Sequence, residues 1–146
     1  MSVLSDLLSV MKRVLLVDDD VELLAEMRQQ LSPLCPHWDV VFTHSGARAL
    51  ELLQQSRFDA LISDLDMPQM GGLDVAEEIN AINPRIPIIL YTANDEICMI
   101  DRRAQFATAC IDKSSDFTEL ALAVNRVLSL GNQSSDFRFG LPSLPD

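Results

Sequence analysis

Three features that commit chains to particular environments are missing here. The cysteines Cys35, Cys98 and Cys110 are odd in number, far apart in sequence and never paired as C-x-x-C. Neither a disulfide framework nor a zinc site is therefore expected, and reduced thiols in a cytoplasmic protein are. Basic charge is short: 11 Lys and Arg stand against 22 Asp and Glu, a net charge of -11. Such a chain repels phosphate backbones and anionic membranes, so direct nucleic-acid and membrane binding are not expected. No apolar run reaches the roughly 20 residues that span a bilayer. Lys12-Arg13 follow the first apolar stretch, whereas a signal peptide places its basic residues first.

What is present is an ordinary globular composition. Hydrophobic residues make up 48% of 146 residues and charged ones 23%, enough for one core without staples. From residue 13 onward, short β-branched or apolar runs alternate with segments of helical period, the pattern of βα units around a parallel sheet. The runs are Val14–Val17, Asp39–Phe42, Ala60–Ile62, Ile86–Tyr91 and Ala107–Ile111. Between them, apolar residues recur at helical spacing: Val21, Leu24 and Leu31; Leu50 and Leu53 after a start at Ser45-Gly46; Val75, Ile79 and Ile82; Ile97, Ile100 and Ala104; Phe117, Leu120, Val124 and Leu128. Pro84 and Pro87 bracket the entry to the fourth strand, and Gly131 suits the end of the last helix.

The expected organisation is an N-terminal extension over residues 1–12, a core domain over 13–131 and a tail over 132–146. Val3, Leu4, Leu7, Leu8 and Met11 line one face of a short amphipathic helix, which needs something to pack against to be stable. The tail is rich in Ser, Pro and Gly, with Phe137, Phe139 and Leu141 as its anchors, and reads as a linker.

In open parallel sheets the functional site lies beyond the carboxyl ends of the strands. Asp18, Asp19 and Asp20 end the first expected strand, Asp64 and Asp66 the third, Thr92 the fourth and Lys113 the fifth. Each has an ordinary reading by itself. Asp19 or Asp20 suits a helix cap, with Asp19 and Glu22 at capping-box spacing; Asp64 and Asp66 suit turns, Thr92 a cap, and Lys113 a solvated surface. Together they gather like charges at one rim, which raise one another's pKa unless a cation neutralises them. A hard divalent ion such as magnesium resolves that conflict, with an aspartate on the ion as a nucleophile toward phosphorus.

The segments VLLVDDD, LISDLDMPQMGG, LYTA and CIDK resemble, in order, the signature segments of response-regulator receiver domains, and the resemblance covers residues 13–130. It implies a flavodoxin-like (βα)5 fold with strand order 2-1-3-4-5, the order the family's chemotaxis member exemplifies. It also implies roles: Asp18 and Asp19 as the acidic pair, Asp64 as phosphoacceptor, Asp66 as a backbone-carbonyl ligand to Mg2+ or Mn2+, and Thr92, Ala93 and Lys113 as the phosphoryl-binding and switch groups. The phosphoryl donor is then a sensor histidine kinase or phosphotransfer protein, and turnover is limited to slow self-phosphorylation and self-dephosphorylation. Nothing after residue 130 resembles an output module, so output is expected through a partner protein or a further C-terminal domain, with room for a homodimer.

Three positions depart from the family pattern. Cys110 stands where many receivers carry an aromatic switch residue, Ser114 replaces the proline usual after the lysine, and Phe106 occupies a position usually given to glycine. Without proline the Lys113-Ser114 peptide is expected to be trans, since cis costs about 2.5–4 kcal/mol there. A small cysteine cannot copy an aromatic rotation, so the response is expected to draw on Thr92, Lys113, the loop after Asp64 or the tail. Two rivals remain. Asp64-Leu-Asp66 is a D-x-D pair like that of haloacid-dehalogenase-like phosphatases, which place it after the first core strand; the other rival is a pseudo-receiver acting only as a binding module.

Overall fold

A computed structural model describes residues 11–94 and 96–131. Val3 to Leu8 of the expected N-terminal helix and the tail with Phe137 and Phe139 lie outside the described residues, while Met11, the last residue of that expected face, is not helical and directly precedes β1. Chain order is β1 (Lys12–Val17), α1 (Val21–Leu34), β2 (Trp38–Thr43), α2 (Gly46–Gln55), β3 (Ala60–Ser63), α3 (Gly72–Ile82), β4 (Ile88–Thr92), α4 (Ile97–Ile100), a 3-10 helix (Arg102–Phe106), β5 (Ala109–Asp112) and α5 (Phe117–Gly131). The strands form one parallel sheet in the expected order 2-1-3-4-5.

The three central strands read as near-continuous apolar runs because both their faces are covered. Side-chain alternation divides the core in two. On one face Val14, Leu16, Ile62, Ile89 and Tyr91 pack with Met27 and Leu31 of α1 and Leu120, Val124 and Val127 of α5. On the other, Leu15, Val17, Leu61, Ile88 and Leu90 meet Ala49 and Leu53 of α2 and Val75, Ala76 and Ile79 of α3. Helix starts follow local chemistry: Asp20 caps α1 by accepting from the Leu23 N–H, and Ser45 caps α2 by accepting from the Arg48 N–H. Val21 and Ile82, at helical spacing in the sequence, instead face solvent at the ends of their helices.

Two expectations fail between β4 and β5. The stretch Ile97 to Ala104 is not one amphipathic helix: α4 stops at Ile100, whose side chain is exposed, and a 3-10 turn follows. Asp101 makes the break by taking an extended backbone conformation and accepting from the Arg103 N–H, while Arg103 also pairs with Asp74 of α3. The second failure concerns the thiols. Cys98 and Cys110 form a disulfide, with Cα atoms 6.7 Å apart, and only Cys35 is free. Their separation of 12 residues spans the connection that returns the chain to the sheet, so distance along the chain becomes contact in space. The expected trans Lys113-Ser114 peptide is borne out, no cis bond being present among the described residues.

The loop from β3 to α3 brings backbone unusually close to backbone. A Cβ on Gly72 would strike the carbonyl oxygen of Asp64, in contact no side chain tolerates. Gln69, in the same loop, sits at φ 69°, a left-handed conformation that disfavours residues bearing a Cβ. Opposite outcomes are expected from these two positions. Gly72→Ala should lower stability by about 1–3 kcal/mol, because neither the strand end nor the helix start can give way. Gln69→Gly should raise it by at most about 1 kcal/mol, relief of roughly 1–2 kcal/mol being offset in part by the entropy of glycine. Urea denaturation of the two variants checks both signs.

Candidate functional site

Strand pairing carries the acidic residues to one edge. The Asp18 N–H donates to the Thr43 carbonyl, the Asp64 N–H to Val17 and the Lys113 N–H to Thr92, so each residue just past a strand is registered on its neighbour. Oxygens of Asp18, Asp19 and Asp64 thereby lie within 4.8 Å of one another. Asp18 and Asp64 are buried and Asp19 is exposed, which leaves the group open to solvent on one side. The Ser63 hydroxyl donates to the Asp64 carbonyl, and the Asp66 N–H donates to the Asp64 carboxylate at 3.4 Å.

Lys113 is the cation of the site. Its Nζ lies 2.8 Å from Asp18 Oδ2 and 3.2 Å from Asp64 Oδ2, so it is not the freely solvated charge that its sequence position alone permits. Burial works against the ammonium, but its hydrogen bonds to Asp18 and Asp64 and their charges prevail, and its pKa is raised. Asp64 is also pushed up from the ordinary aspartate range. Loss of water is the main cause and the Asp18 carboxylate the second; Lys113 only partly offsets them. One ammonium between three carboxylates leaves surplus negative charge.

Hard carboxylate oxygens gathered at this spacing suit a divalent cation of the magnesium kind, which takes few protein oxygens and completes its shell with water or phosphate. The remaining expected site residues are placed unequally. Thr92 is fully buried at the end of β4, and its hydroxyl accepts from the Asn94 N–H; it caps a turn, since α4 starts only at Ile97. Ala93 beside it is exposed, as is Asp66. Asp20, last of the acidic run, serves α1 as its cap and does not join the cluster. Asp64 and Asp66 follow β3, unlike the position after the first core strand that a haloacid-dehalogenase-like D-x-D pair requires.

Two contributors were not found from sequence. Gly72 admits the α3 start against the Asp64 carbonyl, for which the Gly71-Gly72 pair was a visible signal read only as loop flexibility. Cys98, bonded to Cys110, had no signal beyond its residue type.

The chain matches the family described as the response regulator receiver domain over residues 14–125. A curated relative, response regulator MprA of Mycobacterium ulcerans, is 35% identical over 85 residues; the match takes in 58% of this chain and 36% of that protein. The chain thus spans only about a third of the length of that relative. Among solved structures, response regulator TrrA of Thermotoga maritima in complex with Mg2+ and BeF is 30% identical, with a TM-score of 0.74 over 80% of this chain and 99% of that one. The complex of histidine kinase ThkA with TrrA matches at 30% identity and a TM-score of 0.73, covering 81% and 99% of the two chains. The signal receiver domain of an HD domain-containing protein from Pseudomonas fluorescens Pf-5 matches at 28% identity and a TM-score of 0.75 over 84% and 90%. With its family match, five-stranded order 2-1-3-4-5 and acidic edge, this chain belongs to the receiver domains of two-component response regulators.

Proposed function

We propose that Asp64 is the phosphoacceptor, receiving its phosphoryl group from the phosphohistidine of a sensor histidine kinase or phosphotransfer protein. The observation that carries this reading is the cluster of Asp18, Asp19 and Asp64, bridged on one side by Lys113 and open on the other. Asp18, Asp19, Asp64 and the backbone carbonyl of Asp66 would hold Mg2+, with Mn2+ as a substitute. When bound, the cation supplies positive charge that lets the three carboxylates approach a phosphoryl group.

The chain's own groups have distinct tasks. An Asp64 carboxylate oxygen attacks phosphorus while the bond from phosphorus to the donor's imidazole nitrogen breaks, the nitrogen retaining the electron pair. Lys113 is already against Asp64 and passes from its carboxylate to a phosphoryl oxygen. Thr92 exchanges its turn hydrogen bond for one to the phosphoryl group, beside the small side chain of Ala93. Cys110 occupies the atypical switch position. Turnover is confined to slow self-phosphorylation and self-dephosphorylation, in a cytoplasmic protein whose receiver unit runs over residues 13–131, between an extension and a linker-like tail. Output passes to another protein or to a further domain, since the acidic surface disfavours nucleic acid.

Acetyl phosphate with magnesium should add one phosphoryl group by intact mass, and Asp64→Asn should add none while keeping its circular dichroism spectrum. An unchanged wild-type mass, or modification that survives in the variant, would refute the assignment. Sustained turnover of a phosphomonoester would point to the phosphatase reading instead.

A stability effect follows from the raised pKa of Asp64. Its folded value exceeds its unfolded one, so its ionisation costs stability as pH rises through the folded value. At neutral pH and without divalent metal, Asp64→Asn should therefore raise the thermal midpoint. Magnesium should narrow the difference by stabilising the wild type through binding. A lower midpoint for the variant in chelator would show that the Lys113 pair dominates.

A further inference from the structure

The disulfide between Cys98 and Cys110 lies outside the acidic cluster but joins the two elements that flank its Thr92 and Lys113 side. Cys110 is on β5, in register with Leu90 of β4. Leu90 precedes Thr92 by two residues and Cys110 precedes Lys113 by three, so the cross-linked strand position lies a few residues before the buried Thr92 and before Lys113, whose ammonium meets Asp64. Alternation along the strands puts the Cys110, Leu90 and Thr92 side chains on the same sheet face. Cys98 is in α4, directly before Met99 and Ile100, which are 86% and 80% exposed.

In segment 97–106 the 3-10 helix packs against α3, whereas the one-turn α4 packs mainly on the 3-10 helix itself. Ile97, Ala104 and Phe106 are only partly buried against the core, α4 is a single turn, and Arg103 pairs with Asp74 and Asp101 near the surface. The bond is the one side-chain cross-link from α4 to the sheet among the described residues. Both sulfur-bearing residues are half-buried, whereas Cys35 is buried and its thiol pKa is raised, chiefly by loss of water.

We propose that Cys98 and Cys110 are a reversible thiol-disulfide modification site that, when oxidised, ties segment 97–106, with its exposed pair Met99-Ile100, to β5, and when reduced lets that segment respond to phosphorylation of Asp64. The proposal rests on the receiver reading given above. The oxidant is a low-molecular-weight disulfide. One cysteine thiolate attacks it, its S–S bond breaks, and a first small thiolate leaves; the second cysteine thiolate attacks the mixed disulfide at the protein sulfur and releases another. The two cysteines lose two protons and two electrons, and the small disulfide becomes two thiols.

The full chain is equilibrated with oxidised glutathione or with a phosphine reductant, then denatured and alkylated. One alkylated cysteine is expected after oxidation and three after reduction. Hydrogen exchange over residues 96–112 is then followed with and without beryllofluoride and magnesium. The mimic should change exchange in the reduced protein and leave the oxidised protein's exchange slow, about tenfold or more below the reduced one. Cys98→Ser should behave as the reduced form under both treatments, while acetyl phosphate still modifies Asp64 in every sample. Three alkylated cysteines after oxidised glutathione, or equal mimic-induced changes in the two redox states, would overturn the proposal and leave the receiver reading standing. Loss of the phosphoryl mass in the reduced wild type would overturn the receiver reading, and the proposal with it.

Discussion

Mutual repulsion among Asp18, Asp19 and Asp64 is the constraint on which this edge of the sheet depends. Three carboxylates at this separation do not stay together of their own accord, and one ammonium compensates only part of their charge. The fold enforces the encounter through elements that have no ionic role. Hydrogen bonds from β1 to β2, β1 to β3 and β4 to β5 fix where each strand ends, and the apolar layers resist any slip, since a shift of one residue would drive Leu15, Leu61 and Leu90 into the opposite core layer, which is already filled. The hydrophobic core thus holds the acidic groups in a state that electrostatics alone disfavours, and a bound cation relieves what remains.

Much of this was legible in the sequence because the relevant signals are periodic or chemically distinctive. Runs such as Val14–Val17 and Ala60–Ile62 lie within strands that extend past them by only a residue or two, and Ser45 caps the helix it was expected to begin. Asp18, Asp19, Asp64 and Lys113 converge as their positions at successive strand ends imply. The failures share a different cause. Whether Ile100 or Val21 is buried depends on where a helix ends relative to the sheet, and Asp101 sets one of those ends through its own backbone and side chain. The pairing of Cys98 with Cys110 depends on two elements meeting in space, which no local pattern records.

The elements around the sheet are fastened by different means. Helices α1 and α5 run 14 and 15 residues and bury continuous stripes, with Trp38 adding a hydrogen bond to Asn125. Opposite them, the connection from β4 to β5 contains one helical turn, a 3-10 turn, a surface ion pair and a disulfide. Ile97, Ala104 and Phe106 pack only partly on the core there, and the disulfide and the Arg103 ion pairs add to the contact of the 3-10 helix with α3.

The run Asp18-Asp19-Asp20 shows how three identical neighbours come to have separate duties. The first is buried and held by Lys113, the second is exposed beside it, and the third turns away to cap α1. Substitutional freedom along the run is therefore uneven. Position 20 needs only a short side chain with an accepting oxygen, so asparagine, serine or threonine meets its requirement, whereas positions 18 and 19 supply the carboxylates of the cluster. In aligning relatives, an acidic count of two or three at this point is not a graded measure of cation affinity. A chain reading Asp-Asp-Ser has lost a helix cap's charge and nothing from the cluster.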